Sequence, residues 1–213
     1  TMLVYIFIEL QLSNNILDKL LKENLESTFN SISTDGDTST SDTLILFSNT
    51  KNKININLKK NYEIIKNSLF EVMHDLSLKV VKDGEGISKL IKLNIKKCKS
   101  IRQAKKIGFS IINSPLVKTA ISGEDANWGR IIAAIGKSEE KVNQNKIKIF
   151  FGKNLVCQSG SVYKNSNTKS INQYMKNKVI EISVILNNGS QNHTVYGNDL
   201  TREYIRINAD YRS

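Results

Sequence analysis

Apolar residues along this chain fall in short runs broken by polar stretches, and their spacing switches between the strand and helix periods. Leu3 to Ile8 is continuously apolar, the pattern of a buried strand. Behind a cap at Ser13 or Asn14, Ile16, Leu17, Leu20, Leu21 and Leu25 recur at helical spacing. A polar loop from Thr34 to Thr43 leads into Leu44-Ile45-Leu46-Phe47, a second short buried strand. Tyr62, Ile65, Leu69, Met73 and Leu76 then share one face of a second helix. Val80-Val81 and the alternating Ile91, Leu93 and Ile95 read as strands on either side of a Gly84 to Gly86 turn.

Farther along, Ile101, Ala104, Ile107 and Ile111 mark a helix, Leu116 to Ile121 a strand, and a helix begins near Asn127 and stops at Gly136. Strands follow at Ile147 to Phe151 and Ile180 to Leu186, with Asn165 to Lys169 as a polar surface loop. Strands and helices alternate throughout, so the expected class is α/β or α+β, in layers. The Lys96 to Ser100 region is the expected boundary, dividing an N-terminal half, 1–95, from a C-terminal α/β subdomain, 96–213.

With 213 residues, 39% of them hydrophobic, the chain can bury a real core. No apolar run approaches the ~20 residues that span a bilayer, and no charged-then-apolar leader opens the sequence, so a soluble compartment and no membrane partner are expected. A targeting peptide would sit on a removed N-terminal portion, and the cytoplasm is the expected location. Cys98 and Cys157 lack C-x-x-C spacing, and His74 and His193 belong to no metal-binding cluster; a reducing compartment, buried thiols and no metal or other cofactor are the expectation. The net charge of +11 raises nucleic acid as a partner, but the lysines are dispersed singly and in pairs rather than gathered into a tract with aromatics, which favours a solvated basic surface.

Chemistry enters with Thr1. A threonine at a free amino terminus carries nucleophile and base on one residue, because its α-amine can accept the proton of its own hydroxyl. Reading on, Thr1-Met2-Leu3, the loop Thr34 to Thr43, Asp83-Gly84-Glu85-Gly86, Ser114-Pro115-Leu116-Val117-Lys118-Thr119-Ala120, Gly123-Glu124-Asp125-Ala126-Asn127-Trp128-Gly129-Arg130 and Asn208-Ala209-Asp210-Tyr211 occur in one order along the chain. Together they resemble the β chain of ornithine acetyltransferase, the glutamate N-acetyltransferase of arginine biosynthesis, over nearly the whole length.

The resemblance implies a precursor that cuts itself before Thr1, and a fold of sheet and helix layers of the N-terminal-nucleophile type. Those layers would be shared between this chain and an α chain, in an assembly of two of each, with a smaller C-terminal subdomain here. It implies that Thr1 takes the acetyl group of N-acetylornithine as an ester and passes it to glutamate. It also implies that Glu85, Asn208 and the terminal Ser213 bind substrate, the C-terminal tail returning to the active site, while the oxyanion hole and further substrate contacts lie on the α chain. Acetyl-CoA is a possible second donor. A self-processed amidohydrolase or aminopeptidase, using Thr1 against water, is the alternative from another class of chemistry, and a basic RNA-binding protein is a third.

Other motifs are expected to be structural. Asp35-Gly36-Asp37 with Asp42 lacks the glycine and glutamate positions of a calcium loop and reads as a hydrogen-bonded turn. Asp83 reads as a turn former, and Trp128 as packing at a helix start, with Arg130 paired to Glu124 or Asp125. Lys118 is placed on a strand, reaching solvent or substrate. The sequence departs from the family pattern at Ile8-Glu9 and matches it only loosely at Tyr196-Gly197-Asn198-Asp199.

Overall fold

The structure is a computed structural model that describes residues 1–49 and 51–211. Its contacts divide the chain into two compact units, the first made of Thr1–Ile32 and Asp37–Val80 and the second of Ser33–Gly36 and Val81–Ser213. The expected boundary at 95/96 falls inside a strand, Leu90–Cys98; the division comes earlier, in the last turn of a long helix.

In the first unit, β1 (Leu3–Ile8) pairs in parallel with β2 (Thr43–Ser48), Leu3 opposite Thr43 and Ile8 opposite Ser48. Helices α1 (Asn14–Leu25) and α2 (Lys59–Lys82) supply the covering side chains. Val4 and Ile6 of β1 are buried with Leu20 of α1, Phe29, and Ile65, Leu69 and Met73 of α2. The alternate residues Leu3, Tyr5 and Phe7 are exposed, so β1 is buried on one face only. Val80 and Val81 are not a strand. They continue the i, i+4 apolar row of α2 from Leu69, Met73 and Leu76, and that row outweighs the weak helix preference of two β-branched residues.

The second unit is built on a six-stranded mixed sheet in the order β6-β5-β4-β7-β3-β8. The strands are β3 (Leu90–Cys98), β4 (Lys148–Phe151), β5 (Asn154–Gln158), β6 (Ser161–Val162), β7 (Val179–Ile185) and β8 (Gln191–Asn198). β3 runs parallel to β7 and antiparallel to β8. Ile91, Leu93 and Ile95 of β3 and Ile180, Ile182 and Val184 of β7 share one buried core with Ile107 and Ile111 of α3 (Ile101–Ile112) and Ile131 and Ile135 of α5 (Trp128–Lys137). Each fully buried branched side chain contributes roughly 1.5–3 kcal/mol.

Leu116 to Ile121, expected as a strand, form helix α4 (Pro115–Ser122). Ser114 caps it by accepting from the Val117 N–H, and Pro115 presets φ for its first turn. Val117, Ala120 and Ile121 then fall on one buried face at i, i+3 and i+4. Helix α6 (Thr168–Met175) starts inside the expected 165–169 loop, capped by Asn167, and α5 runs through Gly136 to Lys137. The C-terminal segment is helical, α7 (Arg202–Asp210), capped by Thr201. Two sheets and seven α-helices among the described residues make the mixed α/β class that the alternating pattern predicts.

Candidate functional site

Thr1 is exposed and lies two residues ahead of the start of β1. The residue after it is pinned: the Met2 N–H donates to Asp42 Oδ1 at 2.8 Å, and the Met2 carbonyl accepts from the Thr43 N–H at 2.8 Å. Asp42, weighed above as part of a cation loop, thus anchors the strand that follows the N-terminal hydroxyl and amine.

Glu85 and Asn208 belong to the second unit, and there the fold brings them together. The Asn208 amide donates to Glu85 Oε2 at 2.9 Å across 123 positions of sequence, and to the Tyr204 carbonyl at 3.0 Å. Both residues are exposed, so the carboxylate keeps a lone-pair face open to a cationic ligand. Ser213, the remaining expected binding residue, lies outside the described residues.

The two glycines around Glu85 have separate reasons. Gly84 has no room for a side chain, since a Cβ there would lie 2.5 Å from the Asn198 amide nitrogen. Gly86 has φ +61°, and a Cβ there would lie 2.5 Å from the Tyr204 backbone nitrogen at the start of α7. The turn is therefore squeezed between the end of β8 and the first turn of α7, with Glu85 projecting outward.

The supports of this turn are the residues that sequence reasoning passed over. Asp199, 2% exposed, accepts from the Ser88 N–H at 2.8 Å, the Lys89 N–H at 2.9 Å and the Ser88 hydroxyl. Asn198 donates to the Val81 carbonyl at 3.2 Å and accepts from Lys118 Nζ at 3.0 Å. Lys118 does not reach solvent from a strand. It is 3% exposed on α4, and its ammonium donates to Asn198 and the Thr34 carbonyl. Burial pulls its pKa down to about 8, against the opposing pull of Asp199 and Asp35. A second buried lysine, Lys89, donates to the carbonyls of Met175 and Asn177 and to Glu124 at 3.2 Å. The 196–199 segment, only loosely matched to the family pattern, thus supplies Asn198 and Asp199 as supports of the Glu85 turn.

Arg130 also differs from expectation. It donates to the Leu116 carbonyl at 2.7 Å and Thr119 Oγ1 at 3.3 Å, bracing α4 from α5, while Glu124 meets Lys89 and Asp125 accepts from Asn127. Asp35 accepts from the Tyr204 hydroxyl, tying the 33–36 segment to α7. Cys98 and Cys157 are fully buried, and burial pushes the Cys98 thiol up to about 11 and raises Cys157. Neither is poised as a thiolate nucleophile. No described helix is long and apolar enough to cross a membrane.

A mixed α/β chain with an N-terminal threonine ahead of a strand, and a Gly-Glu-Gly turn bonded to its last helix, defines a recognisable class. The chain belongs to the ArgJ family, whose signature matches residues 1–213. The arginine biosynthesis bifunctional protein ArgJ of Bartonella quintana (strain Toulouse) is 42% identical over 218 residues, which cover all of this chain and 53% of that protein. That of Ruegeria pomeroyi is 43% identical over 213 residues, covering all of this chain and 52% of the relative. The crystal structure of the arginine biosynthesis bifunctional protein ArgJ from Bacillus halodurans matches with a TM-score of 0.91 at 33% identity, over 99% of this chain and all of that one. This chain spans about half the length of the curated relatives it matches.

Proposed function

We propose that this chain carries the nucleophile and part of the substrate site of a glutamate N-acetyltransferase, which moves an acetyl group from N-acetylornithine to glutamate. Thr1 Oγ1 attacks the acetyl carbonyl carbon while the Thr1 α-amine takes up the hydroxyl proton. That proton passes to the departing ornithine nitrogen as the amide C–N bond breaks, leaving an acetyl ester on Thr1. The amine of glutamate then attacks the ester carbonyl and gives a proton to the Thr1 α-amine; the ester C–O bond breaks, that proton passes to the threonine oxygen, and N-acetylglutamate leaves. One amide is made as another is broken, so the exchange is nearly balanced and ping-pong.

The observation that carries this reading is the 2.9 Å hydrogen bond between Asn208 and Glu85, two residues that the family resemblance independently assigns to substrate. A carboxylate held on a rigid turn with a neutral amide beside it suits the side-chain ammonium of ornithine through a charge-assisted bond. We assign Ser213 the third binding role on the resemblance alone.

The working enzyme in this reading pairs the chain with an α chain from the same precursor, as an α2β2 assembly in the cytoplasm. The α chain supplies the oxyanion hole. Two facts support a missing partner: the curated relatives are about twice as long, and the outer face of the β1–β2 sheet presents exposed Leu3, Tyr5, Phe7, Ile45 and Phe47. The relatives are named bifunctional, which supports acetyl-CoA as a second donor.

The test is the intact mass of this chain, taken from the purified complete enzyme after incubation with N-acetylornithine. A gain of one acetyl group mapped to Thr1, lost again on adding glutamate with labelled acetyl appearing on its nitrogen, is the expected result. An unmodified chain rejects the nucleophile assignment, and label released only as acetate points instead to an amidohydrolase.

A further inference from the structure

The Glu85–Asn208 pair is made by two elements that could move independently, the 83–86 turn and helix α7. One hydroxyl sits where they touch. Thr201 Oγ1 accepts from the Glu203 N–H at 3.1 Å and the Tyr204 N–H at 3.3 Å, satisfying two of the donors that a helix start leaves unpaired. The same hydroxyl donates its proton to the Gly86 carbonyl. Contact here is close enough that Gly86 admits no Cβ against the Tyr204 backbone. On the opposite flank, Asn198 and Asp199 hold Val81, Ser88 and Lys89 from buried positions. The inner flank is thus fixed by the core, and the outer flank, toward α7, is closed by Thr201.

We propose that Thr201 is a positioning residue: its hydroxyl locks the Glu85 turn to helix α7, so that Glu85 and Asn208 meet the substrate's ammonium as one preformed pair. This rests on the substrate roles given to Glu85 and Asn208 above. Threonine performs two jobs that other residues separate. Valine keeps the shape and loses both bonds. Aspartate still caps α7 but has no proton to give Gly86, and serine keeps both bonds.

The experiment uses the complete enzyme with both chains, measuring acetyl transfer from N-acetylornithine to glutamate together with thermal midpoints. Thr201→Val and Thr201→Asp are expected to raise KM for N-acetylornithine roughly tenfold, the scale of a lost bond to a binding group, with kcat within about twofold. Thr201→Ser restores the wild-type KM. The valine variant, which loses the cap as well, melts lowest, and the aspartate variant, whose cap is intact, melts between valine and wild type.

In a double-mutant cycle, adding Thr201→Val to Glu85→Gln changes KM little further, since aiming an absent carboxylate has no value. A Thr201→Asp variant with wild-type KM overturns the proposal and leaves Thr201 as a helix cap only; so do fully additive effects with Glu85→Gln. If Thr201→Val does not fold, the aspartate and serine variants decide the matter. A wild-type enzyme that transfers no acetyl group from N-acetylornithine overturns the proposed function and this inference together, while an active wild type beside an unaffected Thr201→Asp overturns this inference alone.

Discussion

The two units handle their strands in opposite ways. In the second, β3 puts Ile91, Leu93 and Ile95 into the core and Lys92, Asn94 and Lys96 on the other face, where Lys92 and Asn94 meet Glu181, and Thr194 donates to Asn94. Both faces of that strand have partners inside the unit. In the first, β1 is apolar at every position from Leu3 to Ile8, yet only Val4 and Ile6 are buried, and Phe7 is 74% exposed. Its outer aromatics stack on one another instead, Phe7 on Phe47 at 4.8 Å and Tyr5 on Phe47 at 6.4 Å. A strand that is apolar on both faces is written for a two-sided burial. Both faces of β3 find partners within the second unit, whereas the outer face of β1, in the unit that bears Thr1, stays open.

The largest way to break that contrast is to charge the outer face. Phe7→Asp combined with Phe47→Asp is expected to cut recovery of this chain with the α chain proposed above by roughly tenfold or more, the effect of losing central aromatic anchors. Val162→Asp, equally solvent-facing but on β6 of the second unit, leaves recovery unchanged within about twofold. Size-exclusion chromatography of the coexpressed protein reads both, and equal losses would erase the distinction.

A middle-sized effect comes from the interior of the second unit. Lys118→Met strands the Asn198 and Thr34 oxygens and is expected to lower stability by about 2–3 kcal/mol at neutral pH, read by urea unfolding through Trp128, the chain's single tryptophan. The pH dependence has a definite sign. Lys118 titrates near 8 when folded and near 10.5 when unfolded, so between those values unfolding takes up a proton. Wild-type stability from this group therefore rises with pH across that window, and the deficit of Lys118→Met widens through it. A difference that stays flat from pH 7.5 to roughly 10 would contradict the buried ammonium.

The smallest effect sharpens the contrast from the other side. The Lys22–Asp18 ion pair on α1 is exposed at both ends, and Lys22→Ala is expected to change stability by no more than about 0.5 kcal/mol.

How far the sequence disclosed this arrangement follows from the range of the interactions. β1, β2, β3, β4 and β7 and helices α1, α3 and α5 were legible because periodicity is local. Leu116–Ile121 and Val80–Val81 misled because short apolar, β-branched runs suit either element. Only the Ser114-Pro115 cap and the continuation of the Leu69–Met73–Leu76 row decide for helix. Glu85 and Asn208 could be named together through family resemblance, but nothing local joins positions so distant. Lys118 was beyond reach for a different reason. A lysine is seldom buried, and its partners Thr34, Asn198 and Asp199 lie some 80 positions away on either side. The contact division falls within α2 rather than near Lys96, because it follows packing, which the local pattern does not display.

The clamp on Met2 sets a limit on the residue before it. With the Met2 N–H and carbonyl both held, Thr1 stands one residue from a fixed point of the strand and can turn but hardly travel. Successive Cα atoms stand about 3.8 Å apart, so a single extra residue left ahead of Thr1 would both acylate its amine and push bulk into the space where an acyl donor must approach. In the chemistry proposed for Thr1, a residue still attached to its nitrogen removes the base and narrows the donor's approach in one stroke.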